Sequence, residues 1–324
     1  MYTTKRLIFN AATFVPGISA LPLVKRKLAK RSLGTGGGAQ SARYCYSVWL
    51  RHLLHARENK LNVEPRNIAE LGPGLSLGIG LAAILTGVER YYAFDVVAHQ
   101  HAERNLAVFD ELITLFKGRA AIPRNNEFPN IGPDLPAYEF PQHLLDNERI
   151  ERNLRPERLA RVREALRRCD SPQSMIQYRA PWHTENAIER DSLDLVFSQA
   201  VLEHVDQLDD TYRAIYEWLR PTGYMSHQID FKCHDSAREW NGHWTYSDVM
   251  WKIVRGKDTW LINREPHSSH LRAIHASGFR IVEDTRVERP SRIARSHLAP
   301  RFKALTDEDL RTGDAFIQAL KPAS

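Results

Sequence analysis

Short apolar runs alternate with stretches of helical periodicity along most of the chain. The runs at 66–71, 91–95, 174–178, 193–198, 224–229, 279–286 and 314–320 have the length and composition of buried β-strands. Between the first two runs, "SLGIGLAAILTG" has the composition of a buried helix that ends at Gly87. Because strands and helices alternate, the pattern predicts an α/β fold around a parallel sheet.

Two regions break this alternation. Residues 98–117 read as a helix with Leu106, Phe109 and Leu112 on one face, and five prolines follow between positions 123 and 141. A second helix begins at Pro156, and we interpret its arginines as a solvated face rather than a phosphate site. We therefore predict an insert at 98–173 and a cap segment at 231–274. The cap's tryptophans are either core or a stacking surface for sugar rings; they are Trp240, Trp244, Trp251 and Trp260.

The positive charge of the chain is concentrated near its start. Residues 1–62 contain eleven Lys or Arg and one acid, Glu58, which predicts an anionic partner for this basic segment alone. The apolar stretch 7–24 is broken by Pro16 and Pro22 and is too short to span a bilayer. It is either an irregular helix packed on the body, or an anchor that places residues 1–31 on an anionic membrane. Three scattered cysteines favour a reducing, cytoplasmic location, with a peripheral position at the inner membrane face as the alternative.

A glycine-rich turn follows the first predicted strand in "NIAELGPGLSLGIGLAAIL". Gly72 and Gly74 fit the dinucleotide fingerprint, but Leu77 occupies the position of its third glycine. Asp95 ends the second strand, where its carboxylate could accept hydrogen bonds from the cis hydroxyls of a ribose. These features predict an adenosine cofactor without distinguishing a dehydrogenase from other enzymes.

The segment 191–230, "DSLDLVFSQAVLEHVDQLDDTYRAIYEWLRPTGYMSHQID", distinguishes them. With the turn "ELGPGLS", it resembles the class I S-adenosylmethionine-dependent methyltransferases, and the resemblance covers about 67–97, 174–232 and 275–322. It implies a Rossmann-like sheet of seven mostly parallel strands with an antiparallel last strand, helices on both faces, and helical or irregular cap insertions. The cofactor implied is S-adenosylmethionine, bound by a methyltransferase domain over 63–322 after a basic helical segment at 1–62.

The residues that the resemblance assigns to the cofactor lie at or just after the ends of the first four strands. They are Glu70, Gly72, Pro73, Gly74, Ser76, Asp95, Val96, Ala180, Ser198, Gln199 and Ala200. Adenine contacts stay open, because Arg179 and Ala180 stand where the family usually has an Asp with a small neighbour. Arg43 and Tyr44 either close over the cofactor or belong to a helix that packs on the sheet.

The candidate catalytic residues follow the fourth and fifth strands. An oxygen acceptor must lose a proton, and His204, Asp230 and His234 are the candidates for the base. We expect Glu203 to be a structural acceptor. We expect no metal; the alternative is a divalent-ion site built from His227, Asp230, His234 and His243.

The segment "TGGGAQSARYCYSVWLRHL" (35–53), the proline-rich insert, and the stretches "HQIDFKCHD", "YSDVMW" and "NRE" after the fifth strand begins are together similar to a bacterial methyltransferase group. That group is associated with glycan gene clusters, including polysaccharide biosynthesis. This favours O-methylation of a sugar or glycan-pathway intermediate. The alternatives are a methyltransferase for a small aromatic or lipid-like molecule, and a non-catalytic S-adenosylmethionine-binding protein. A nucleic-acid substrate is disfavoured, because the basic residues concentrate before residue 62 rather than along an aromatic groove.

Overall fold

The computed structural model describes residues 9–14, 21, 24, 38–99, 101–129, 131–169, 171–182, 188–256 and 261–323. Nine α-helices and seven strands are numbered from Ala42 onward along this part of the chain. The helices are α1 (Ala42–Glu58), α2 (Gly78–Leu85), α3 (Ala102–Lys117), α4 (Asn147–Asn153), α5 (Pro156–Arg167), α6 (Leu208–Trp218), α7 (Asp248–Arg255), α8 (His267–Ala276) and α9 (Asp307–Arg311). The strands are β1 (Asn67–Leu71), β2 (Arg90–Phe94), β3 (Ile176–Arg179), β4 (Leu193–Gln199), β5 (Leu219–Asp230), β6 (Arg280–Glu288) and β7 (Thr312–Leu320).

All seven predicted strands form one sheet in the order β3-β2-β1-β4-β5-β7-β6. The first five strands pair in parallel, and β7 lies antiparallel between β5 and β6. The predicted Rossmann-like sheet with an antiparallel last strand is therefore confirmed. From β1, the chain first adds β2 and β3 on one side of the sheet and then β4 and β5 on the other. In a sheet of this kind the ligand crevice lies at the carboxyl ends of the strands where the order reverses, here β1 and β4.

Two hydrophobic clusters cover the two faces of the sheet. Successive strand residues alternate between them, as with Ile68 and Ala69. Helices α1 to α5 contribute to one cluster, and α6 and α8 contribute to the other. Since α1 precedes β1 and still packs into the same core as α2 and α3, part of the basic segment belongs to the body of the protein.

Two boundaries differ from the predictions by more than two residues. The helix predicted to begin at residue 98 begins at Ala102, and β5 begins at Leu219 rather than at residue 224. The second difference arises because Leu219 already pairs with Leu193 of β4, so the chain is extended as soon as α6 ends.

The long connection between β2 and β3 carries α3, α4 and α5, with a proline-rich loop (residues 118–146) after α3. Helix α1 holds this loop through the guanidinium of Arg51, which donates to the carbonyls of Pro123, at 3.1 Å, and Pro133. The Ser47 hydroxyl donates to Pro123 O at 3.0 Å. The backbone of the loop is thus anchored by polar side chains on the buried side of α1.

The cap segment shares its small core with a region that the sequence patterns did not predict. Trp244 packs with Phe302 and Leu310, and its indole donates to Arg264 O at 3.0 Å. Trp244 and Trp251 are buried, which favours the core interpretation for these two, whereas Trp260 lies outside the described residues. The segment 289–311 therefore completes the cap.

Most of the predicted membrane-contacting segment 1–31 lies outside the described residues. Within it, Asn10 is buried and its side-chain amide donates to Val254 O of α7. No helix among the described residues is long and apolar enough to cross a membrane. The membrane contact stays a prediction, as do the domain limits at 62 and 63.

Candidate active site

The strand register brings the predicted cofactor residues to one edge of the sheet. Leu71 pairs with Phe94 of β2 on one side and with Ser198 of β4 on the other, and Phe94 pairs with Arg179 of β3. The residues that follow these four positions therefore lie side by side. They are the glycine turn from Gly72, Asp95 with Val96, Ala180, and Gln199 with Ala200.

The two glycines of the turn have similar positive φ angles but different surroundings. Gly72 has φ +63°, and a Cβ built on it would lie 2.6 Å from Cγ2 of Val201. Gly74 has φ +68°, and a Cβ there would meet nothing within 4 Å. Gly72 is thus required for packing, whereas Gly74 borders open space that a ligand can approach closely.

Asp95 is held by backbone amides at the end of β2. Its Oδ1 accepts from Val96 N at 2.7 Å and Val97 N at 3.3 Å, and its Oδ2 accepts from Gly74 N at 3.2 Å. Burial raises the pKa of Asp95, and the backbone amides of Val97, Val96 and Gly74 lower it in part. The carboxylate therefore links β2 to the glycine turn, in a position from which it can accept hydrogen bonds from a ribose.

Glu70, the acid two residues before Gly72, lies beneath the glycine turn. It is buried, and Tyr91 of β2 donates its hydroxyl to Oε2. Burial raises the pKa of Glu70 to about 8, against the opposing effect of the Tyr91 hydroxyl. At neutral pH the carboxyl is therefore mostly protonated, which indicates a role in supporting the turn from below.

Two other predicted cofactor residues have side chains committed to the interior. Ser76 is buried and donates to Ala39 O, and its Oγ accepts from Gly78 N at 3.1 Å. Ser198 is buried, with its Oγ 2.8 Å from Nδ1 of His227. Any contact of these two residues with a cofactor would therefore be through the backbone.

The proline-rich loop borders the crevice at the carboxyl end of β4, away from Asp95 and β2. Gln199, at the end of β4, donates its side-chain amide to Ile131 O at 2.9 Å. Arg43 of α1 does not point to the crevice: it forms a bidentate ion pair with Glu127 of the loop, at 2.6 and 2.7 Å. Helix α1 and the loop together form a fixed wall beside the carboxyl end of β4.

The three predicted catalytic residues lie together at the carboxyl ends of β4 and β5. The rings of His204 and His234 have centroids 5.2 Å apart, and Nε2 of His234 lies 3.4 Å from Oδ2 of Asp230. Burial, with the adjacent His234, lowers the pKa of His204 to about 3. Burial raises the pKa of Asp230, but the His234 hydrogen bond and the Lys232 charge outweigh it and lower the pKa to about 2.

The structure adds two charged residues to this group that the sequence patterns did not indicate. Lys232 places Nζ 2.9 Å from Oδ1 of Asp230 and also pairs with Asp314. Asp314 lies opposite Asp230 because β7 runs antiparallel to β5. In the sequence, the one indication of this contact was Asp314 near the start of the last strand, since antiparallel pairing brings that position to the end of β5.

Glu203 is part of the same group, although the sequence favoured a structural role for it. Its side chain is 2% exposed, and neither carboxylate oxygen has a hydrogen-bond partner among the described residues. Burial, together with the charge of Asp230, raises its pKa well above the usual value. The alternative ion site from His227, Asp230, His234 and His243 does not assemble in the described part of the chain, where Glu203, His204 and His234 converge instead.

Comparisons with known proteins agree with this geometry. Residues 142–226 match the family model described as a methyltransferase domain, and this range contains the "LDLVFSQAVLEHV" segment. The chain carries an S-adenosylmethionine-dependent methyltransferase domain. The prediction of this enzyme class and of its cofactor is confirmed.

Two solved structures illustrate what the methyltransferase chain is similar to. One is an S-adenosylmethionine-dependent methyltransferase from Mesorhizobium loti, at 15% identity and TM-score 0.42, covering 82% of this chain and 96% of that one. The other is a Haemonchus contortus phosphoethanolamine N-methyltransferase, solved with phosphomonomethylethanolamine and S-adenosylhomocysteine. It has 15% identity and TM-score 0.44, covering 92% of this chain and 60% of that one. The search of curated proteins finds no match to the methyltransferase sequence.

The residues of the methyltransferase site fit the cofactor at one decisive place. The open space at Gly74 lies next to the Asp95 carboxylate, so a backbone cradle and a ribose acceptor occur together. The individual cofactor residues stay predictions, because contacts to a bound cofactor are what would test them.

The raised pKa of Glu70 predicts a pH dependence of stability. Its folded-state value, about 8, lies above its ordinary value of 4.5, so the stability it contributes is present at low pH and lost as the pH rises through about 8. We expect the cofactor-free wild type to lose more stability between about pH 5 and about pH 9 than Glu70→Gln. Thermal unfolding of both proteins across this range measures the difference, and parallel curves would contradict the assignment.

Proposed function

We propose that this methyltransferase methylates an oxygen of a small, hydroxyl-rich acceptor, such as a sugar or glycan-pathway intermediate. The observation that carries the proposal is the polar group formed by Glu203, His204, Asp230 and His234 at the ends of β4 and β5. An acceptor with several hydroxyls can exchange hydrogen bonds with such a group, whereas a flat apolar acceptor offers it neither donors nor acceptors.

Different residues of the chain bind the cofactor, accept the proton and orient the acceptor. Gly74 and Asp95 hold the cofactor, which supplies a methyl group on a positively charged sulfur when bound. His234 and Asp230, 3.4 Å apart, form the pair that receives the proton lost by the acceptor hydroxyl. The wall of α1 and the proline-rich loop restricts access to the carboxyl end of β4, which favours a fixed acceptor orientation.

The test is methyl transfer from labelled S-adenosylmethionine to matched acceptor sets, read by mass spectrometry of the products. One set holds monosaccharides, sugar phosphates and nucleotide sugars, and the others hold catechols and lipid headgroup amines. We expect methylation within the sugar set and a mass consistent with an O-methyl ether. Methylation confined to catechols or amines would contradict the proposal, and tight S-adenosylhomocysteine binding without turnover on any set would favour a non-catalytic role.

Variants of the proton-accepting pair separate catalysis from cofactor binding. We expect Asp230→Asn and His234→Ala to lower kcat by about 100-fold or more, since general bases contribute on this scale. Binding of S-adenosylhomocysteine, measured by calorimetry, should change by less than about threefold, because neither residue belongs to the glycine turn or to Asp95. A loss of cofactor affinity equal to the loss of kcat would remove the pair from its proposed role.

A further inference from the structure

The side chain of Glu203 poses a specific physical problem. A carboxylate that is 2% exposed and accepts no hydrogen bond from a described side chain lacks the side-chain partner that buried acids normally have. Lys232 is already shared between Asp230 and Asp314. Asp230 and Lys232 both act on Glu203 through their charges, and the imidazoles of His204 and His234 lie beside it.

The geometry around this carboxylate is that of a ligand set. One ligand atom from each of Glu203, His204 and His234 lies within 4.8 Å of the other two, and Nε2 of His204 is 3.8 Å from Oε1 of Glu203. Ligand atoms on a tetrahedral ion with bonds of about 2.0–2.1 Å are roughly 3.3 Å apart. The three atoms are therefore somewhat farther apart than they would be on a bound ion, so the set must contract to hold one.

We infer that Glu203, His204 and His234 bind a divalent transition-metal ion of the Zn²⁺ type, with open coordination positions facing the acceptor crevice. Two imidazoles and one carboxylate suit Zn²⁺ and related ions, whereas Mg²⁺ and Ca²⁺ prefer oxygen ligands throughout. The ion satisfies the buried carboxylate that the described side chains leave without a partner.

Two features of the fold hold the ligands in place. Asn263 fixes the turn that carries Glu203 and His204, since its side-chain amide donates to Leu202 O at 3.0 Å and Val205 O at 2.7 Å. His234 has a left-handed backbone, with φ 45°, which is uncommon for a residue other than glycine. Its Nε2 faces Asp230 at 3.4 Å, and a carboxylate behind a ligating imidazole is the usual way in which a metal-bound histidine is oriented.

The role of the ion rests on the proposed function, because the open positions would take hydroxyl oxygens of the acceptor. A hydroxyl bound to such an ion loses its proton more readily, so a weaker base suffices. With His234 on the ion, Asp230 is the member of the proton-accepting pair that takes this proton. The binding of the ion itself does not depend on the acceptor, and the two statements can be tested separately.

The first test titrates the full-length, chelator-treated protein with Co²⁺ in the absence of any acceptor. We expect one equivalent to bind and to develop the intense visible absorption of a four- or five-coordinate ion. Absence of stoichiometric binding, or a spectrum equal to that of hexaaqua Co²⁺, would overturn the inference without any variant having to fold.

Variants then assign the ligands. Glu203→Gln and His234→Ala should each lower Co²⁺ affinity by at least about 100-fold, and Asp230→Asn by roughly tenfold, as for an orienting partner. His275→Ala, which removes an exposed imidazole of α8, is the matched control and should bind like the wild type. Unchanged affinity in both ligand variants would assign the ion to another place and overturn the inference.

Co²⁺ titration and the acceptor assay together distinguish failure of the metal site from failure of the proposed acceptor class. If Co²⁺ binds as expected but only catechols or amines are methylated, the metal site stands and the proposed acceptor class fails. If sugars are methylated at an undiminished rate by chelator-treated protein, the acceptor class stands and the role of the ion is wrong.

Discussion

Gly74→Ala is expected to leave the methyltransferase folded but to weaken its binding of S-adenosylhomocysteine by about tenfold to a hundredfold, while Gly72→Ala destabilises the fold itself. Both glycines have positive φ, at +63° and +68°, so a Cβ at either position costs a similar amount, about 1–2 kcal/mol. Only at Gly72 does that Cβ also approach Val201, to 2.6 Å, and overpacking of this kind adds about 1–3 kcal/mol. At Gly74 the Cβ enters the open space that the cofactor would use.

Urea unfolding and calorimetry on the two variants measure this contrast, and the two variants serve as controls for each other. The double variant Gly72→Ala/Val201→Ala should recover part of the stability lost by Gly72→Ala, because it removes the two γ-methyl groups that lie closest to the new Cβ. Wild-type affinity in Gly74→Ala would mean that the cofactor does not approach this glycine.

Arg51→Met is expected to lower the free energy of unfolding by about 3 kcal/mol or more and to expose the proline-rich loop. Arg51 is 1% exposed, and its guanidinium donates to Pro123 O at 3.1 Å, to Pro133 O and to Ser47 Oγ at 3.3 Å. Methionine fills much of the same space, but it leaves the two buried carbonyls without these donors. The loop should then become accessible to limited proteolysis between residues 118 and 146.

Arg43→Met is the matched control, because it lies two turns earlier on the same helix and also contacts the loop. Its ion pair with Glu127 is between exposed side chains, and exposed pairs contribute about 0–1 kcal/mol. If both variants lost equal stability, or if the loop of Arg51→Met resisted proteolysis like the wild type, the anchoring role of Arg51 would be wrong.

The sequence patterns predicted the sheet well because a parallel sheet is covered on both faces. Its strands are therefore near-continuous apolar runs, such as "LDLVF", which are recognisable without knowledge of their neighbours. The start of β5 was predicted five residues late, since Arg220 and Pro221 are typical of a turn and only the pairing of Leu219 with Leu193 reveals an extended chain.

The candidate site shows the limit of such patterns more clearly. Glu203, Asp230 and Asp314 lie on three different segments, and their relation depends on the antiparallel pairing of β7 with β5 and on the turn fixed by Asn263. Burial of the Glu203 carboxylate likewise cannot be deduced from "LEHV", because neighbouring residues in that motif do not determine what packs over it.

By itself, the sequence determined the order of strands and helices, the glycine turn and the acid at the end of β2, because these depend on local conformation and on the spacing of apolar residues. The tertiary structure decided three further features: the contrast between Gly72 and Gly74, the anchoring of the proline-rich loop by Arg51, and the convergence of Glu203, His204 and His234. These depend on distances between segments far apart in the chain, which are set only when both faces of the sheet are packed.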